Sequence, residues 1–66
     1  MMKKITTNNK FSIYKFNKGE GFTKDAQYGV IQCELEQRLR EDISPIDMDF
    51  EFITLFEARH YMSIWS

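Results

Sequence analysis

The only cysteine, Cys33, and the only histidine, His60, are the chain's sole candidates for a thiolate nucleophile or an imidazole ligand. Structural zinc takes four such ligands, and a Cys–His nucleophile pair needs a third group to orient the base; the sequence offers neither. Glu57-x-x-His60 has the i,i+3 spacing of carboxylate-bridged di-metal sites, but those sites require a second such motif and further glutamates in a helical bundle. Asp47, Asp49 and Glu51 recur every second residue, which on a strand puts neighbouring carboxylates about 7 Å apart on one face. Acid–base chemistry or a divalent cation can use such a pair. It also needs a pocket that desolvates one carboxyl, and 66 residues leave little volume for one. No catalytic residue, metal or cofactor is expected. The three acids read instead as a solvated strand face or as an acidic ribbon that would meet Arg and Lys on a partner.

Two further segments carry recognisable chemistry. Asn17-Lys18-Gly19-Glu20-Gly21-Phe22-Thr23-Lys24 places glycines ahead of an expected helix start, as phosphate loops do. The G-x-x-x-x-G-K-[ST] spacing is absent, Lys24 stands where G-x-G-x-x-G has its third glycine, and Glu20 would repel an anion. An ordinary connecting loop accounts for it. The run Lys10-Phe11-Ser12-Ile13-Tyr14-Lys15-Phe16-Asn17-Lys18 interleaves lysines with aromatics, so Tyr14 and Phe16 could stack bases while Lys10, Lys15 and Lys18 neutralise phosphates. It lacks the glycines of the RNP1 pattern, and a net charge of −1 with pI near 5.7 does not suit a nucleic-acid grip. Nucleic acid is the less favoured partner.

These segments must be positioned by a small fold. The composition is globular, with 42% hydrophobic, 15% aromatic and 29% charged residues, and a single domain spanning residues 1–66 is all the length allows. Cores of this size supply only about 3–5 kcal/mol without a staple. One cysteine excludes an internal disulfide and points to a reducing, cytoplasmic setting. No segment has the length and apolarity of a membrane span or a secretory leader. Stability must then come from ten aromatics, from self-association, or from both. Charge is sorted along the chain: residues 1–24 hold six Lys against Glu20, for +5, and residues 25–66 hold three Arg against nine acids, for −6. Folding either neutralises these halves against each other or leaves two oppositely charged surfaces.

Residues 10–17 predict a strand, with Phe11 and Ile13 on one face and Tyr14 and Phe16 on the other. Asn8-Asn9 can turn a hairpin into an edge strand over Lys3–Thr7. Thr23 and Asp25 suit a helix start, and Tyr28, Ile31, Leu35, Leu39 and Ile43 then fall in a stripe about 120° wide that Ser44-Pro45 ends. Residues 46–56 alternate as a strand that turns apolar on both faces past Glu51. Residues 57–65 fit a strand, which is preferred, or a helix with a Leu55, Ala58, Met62 and Trp65 stripe.

The expected fold is therefore α+β: an antiparallel sheet of three to four strands, βαββ or ββαββ, with one amphipathic helix on one face. The uncovered face would show Tyr14, Phe16, Ile53, Leu55, Tyr61 and Trp65, rimmed by Asp47, Asp49 and Glu51. An aromatic patch with an acidic rim suits a larger protein or protein complex as partner. In size and character such a chain resembles the small inhibitors and regulators that phages and mobile elements carry. A single-stranded nucleic-acid binder and a self-associating homodimer are the alternatives; a membrane partner is not expected.

Overall fold

A computed structural model describes residues 2–65. Four strands, β1 (Lys3–Thr7), β2 (Phe11–Lys15), β3 (Tyr28–Gln32) and β4 (Phe50–Phe52), form an antiparallel sheet in chain order. Two helices join it, α1 (Cys33–Leu39) and α2 (Leu55–Trp65), with 3₁₀ turns at Arg40–Asp42 and Pro45–Asp47. The protein is a small α+β fold. No helix among the described residues is long and apolar enough to cross a membrane.

The first hairpin follows from Asn8. Its Oδ1 accepts from the backbone N–H groups of Lys10 and Phe11, both at 2.8 Å, closing the turn that the Asn-Asn pair suggests. Beyond it, β1 pairs with β2 through a register shift between Lys4 and Thr6, a bulge of the kind that blunts an edge strand. The pairing Ile13↔Val30 then lies at the sheet's centre.

Both faces are covered. On one, Phe11, Ile13 and Val30 pack with Ala58 and Met62 of α2, joined by Ile5, Tyr28, Phe52, Leu55 and Tyr61. On the other, Ser12 and Ile31 are fully buried, and the α1 residue Glu36 bonds both Ser12 and Tyr14. Gly29 belongs to this second face. A Cβ there would lie 2.5 Å from Met48 Cγ and 2.7 Å from Phe16 Cζ, so these side chains close over it only because glycine has none.

Three expectations are corrected. The long helix begins nine residues later than its cap residue Thr23 suggests: residues 28–32 form β3, and only Cys33–Leu39 is α-helical. Val30 and Ile31 are both fully buried, on opposite faces, a burial that a strand achieves and a one-stripe helix does not. Residues 46–56 yield a strand only at Phe50–Phe52. The last segment is a helix, opened by a reciprocal cap in which Glu57 N–H donates to Thr54 Oγ1 (3.2 Å) and Thr54 N–H to Glu57 Oε1 (3.3 Å). With two helices present, no sheet face is left open for a partner.

Candidate functional site

Exposed apolar side chains occur at several places on the surface, and at the C-terminal end of α2 they join an aromatic cluster. Tyr61 and Trp65 stand one turn apart on the same side of the helix, and Ala58 and Met62 hold that helix against the sheet. Tyr61 is the hub of an aromatic ladder. Its ring centroid lies 5.6 Å from Phe11, 5.0 Å from Phe50, 5.5 Å from Phe52 and 6.3 Å from Trp65. Phe11 anchors the ladder in the core, whereas Phe50 is 55% and Trp65 60% exposed. Beside it runs a groove of about 460 Å³ between the β1–β2 turn, the β3–α1 junction and the end of α2. Lys10 and Glu34, of opposite charge, are both among its lining residues. Partial burial, then the nearby charge of Asp49, pushes the Tyr61 hydroxyl's pKa up.

Of the residues expected at a partner surface, Asp49, Tyr61 and Trp65 come together here, along with Lys10 from the alternative basic set. Phe50, Gln32 and Glu34 were not anticipated. Phe50 becomes legible once 55–65 is read as a helix, because its strand then lies beneath Tyr61.

The other expected residues lie elsewhere. Phe16 is buried at 5% exposure, and Tyr14 donates to Glu36 on the covered face, so neither can stack on a base or a partner side chain from the positions expected. The acidic ribbon is also redrawn, because each acid ties down this chain's own backbone. Asp47 Oδ2 accepts from Ser44 N–H (2.9 Å), Asp49 Oδ2 from Gln32 N–H (3.1 Å), and Glu51 from Phe22 N–H (2.9 Å) and Thr23 N–H (3.1 Å). The glycine-containing loop thus holds an anion after all: the carboxylate of Glu51. Ile53, Lys15 and Lys18 line a separate trough at the far end of the sheet. Lys15 Nζ sits over the Tyr28 ring, 4.7 Å from its centroid.

A concentrated polar cluster on the α1 face is organised by Glu36. Its carboxylate accepts from Ser12 Oγ (2.7 Å) and Tyr14 Oη and pairs with Lys4 Nζ (3.1 Å). Burial acts to raise its pKa, but hydrogen bonds from Tyr14, Ser12 and Lys4 outweigh that and hold it below the ordinary value. Tyr14 moves the opposite way, pushed well up by burial and by the Glu36 carboxylate. Ser12 is fully buried, so its hydroxyl faces no space where a substrate could sit; the cluster fastens α1 to β2. Cys33 Sγ lies 3.5 Å from Thr7 Oγ1 and the same distance from the Asn8 carbonyl. His60 instead stacks parallel on Phe56, ring centroids 6.4 Å apart, and Glu57 is engaged in its cap. Among the described residues no group of three or more His, Cys, Asp and Glu is arranged to hold a metal.

Fold and surface together define a small α+β scaffold, an antiparallel meander between two helices, with an aromatic ladder exposed at one end. Compared with known proteins, the chain matches no family model, no curated protein and no solved structure.

Proposed function

We propose that this protein is a non-catalytic binding module that inhibits or regulates a larger protein, and that it docks through the Phe50–Tyr61–Trp65 ladder and the adjoining groove. The observation that carries the reading is the ladder itself. Trp and Tyr dominate the energetics of protein interfaces because a rigid ring buries much area at little entropic cost. Here two exposed rings rest on a third that is held by the core. Lys10 and Glu34 supply charges that an interface rim uses for register.

The test is affinity capture from source cells with and without nuclease, comparing the wild type with Trp65→Ala. One dominant nuclease-resistant protein, lost with Trp65→Ala, supports the reading. Capture that is indifferent to Trp65 removes the ladder from it.

A second reading, self-association, draws on a different observation. Phe56 is 79% and Ile64 58% exposed on the side of α2 that faces away from the sheet. A melting temperature that rises with protein concentration supports a homodimer, because folding and assembly are then linked. A melting temperature constant over wide dilution removes it.

A further inference from the structure

Three of the six lysines gather in one place. Lys15, Lys18 and Lys24 line a trough of about 690 Å³ where β2 ends and the chain returns toward β3, with Ile53 forming an apolar wall. Lys3 stands opposite Lys15 across the β1–β2 pairing, a like-charge juxtaposition that costs stability unless something neutralises it. Among the described residues none of these four lysines is ion-paired; the Lys4–Glu36 pair uses a different lysine. Lys15 is held in place by the Tyr28 ring and by Gln27 Oε1, 3.4 Å away. Asp25 is the one carboxylate in the lining.

We infer that this trough docks an acidic segment of a protein partner, with an aliphatic side chain of that segment against Ile53. The inference rests on the binding-module reading and supplies the chemistry of the partner. Carboxylates on an extended segment recur about every 7 Å on one face, so one segment can present several of them to the three lysines in the lining. Nucleic acid is less well matched. Tyr14 and Phe16 are turned inward, and Phe22 is the single exposed ring in the neighbouring loop.

The trough lies at the N-terminal end of α2, through Ile53, and the ladder at its C-terminal end. Along the 11-residue helix Trp65 lies about 15 Å from Leu55, so substitutions at Trp65 and at the trough lysines can be tested apart.

The experiment measures fluorescence anisotropy of a labelled short peptide alternating glutamate with leucine. Its glutamine analogue and a labelled oligothymidylate serve as comparison probes. The glutamate peptide is expected to bind the wild type at low salt and to weaken roughly tenfold in the Lys15→Gln, Lys18→Gln, Lys24→Gln variant. The single exposed-loop variant Lys18→Glu should weaken it in the same direction, while Lys10→Gln and Trp65→Ala leave it unchanged. Circular dichroism checks that each variant is folded. Binding that survives the lysine substitutions, an absence of peptide binding at low salt, or tighter binding of oligothymidylate overturns the inference. Because Trp65→Ala bears only on partner capture, the trough and the ladder fail separately.

Discussion

Glu36 is the residue on which the covered face of the sheet depends. Its neighbours Ser12, Tyr14 and Lys4 all come from the first two strands, so one side chain of α1 fastens the helix to a sheet formed largely by other contacts. Glu36→Ala should cost about 1–3 kcal/mol in urea unfolding, because it removes the charged acceptor of the half-buried Tyr14 hydroxyl and leaves the buried Ser12 Oγ with Thr7 Oγ1, 2.9 Å away, in its place. The same cluster sets a pH dependence. The folded pKa of Glu36 is depressed, so its contribution is present above the ordinary 4.5 and is lost as pH falls through the folded value. The folded pKa of Tyr14 is raised, so its contribution is present below the ordinary 10.0 and is lost as pH climbs through the folded value. Urea midpoints followed across pH should decline at both ends. Glu36→Gln should shrink the acid decline and Tyr14→Phe the alkaline one. Declines unchanged by these substitutions would show that other groups set them.

The ends and close approaches of individual elements make two further predictions. Helix α1 stops at Arg40, which adopts φ 54° and ψ −114°, a conformation that a side chain resists and glycine accepts. Arg40→Gly should therefore raise stability by about 1 kcal/mol, read as a higher urea midpoint; a lower midpoint would mean that the Arg40 side chain contributes more than its strain costs. Gly29→Ala should do the reverse. The added methyl meets Met48 and the buried Phe16 ring inside contact distance, and overpacking of this kind costs about 1–3 kcal/mol. An unchanged midpoint would mean that the Met48 side chain swings aside freely.

Particular elements also show what the sequence could and could not reveal. The β1–β2 hairpin was legible because Asn8-Asn9 and the alternating 10–17 run are local signals that tertiary packing left intact. The helix start was not. Tyr28, Ile31 and Leu35 match a helical period by position, yet the Gly29-Val30-Ile31 stretch favours a strand that is buried on both faces. Residues 55–65 contain no turn former at 57–60, and that absence was the better guide to a helix. Tyr61 and Trp65 share a side at strand or helical spacing, so the ladder could not be read from their spacing alone; it is α2 that lays Tyr61 against Phe50 and Phe52. The acids 47, 49 and 51 looked like a ribbon because their spacing does not show that Asp47 caps its own turn at Ser44, that Asp49 accepts from Gln32 of β3, or that Glu51 accepts from the distant 22–23 loop.

At the scale of the whole molecule, the charge sorting survives folding in part. Lys4 is neutralised by Glu36, but Lys15, Lys18 and Lys24 gather around one trough and Lys10 joins Glu34 along a groove at the opposite end of the sheet. The core fills both faces of the sheet without using Phe50 or Trp65, so truncating Trp65 should leave the fold nearly as stable as before. Exposed positions of this kind change stability by about 0.5 kcal/mol. The most direct measurement of the central claim is therefore paired: urea unfolding and partner capture, each on the wild type and Trp65→Ala. A matching urea midpoint together with loss of the nuclease-resistant partner is the predicted result. Retained capture by a folded Trp65→Ala protein would contradict the claim that the aromatic ladder is the docking surface.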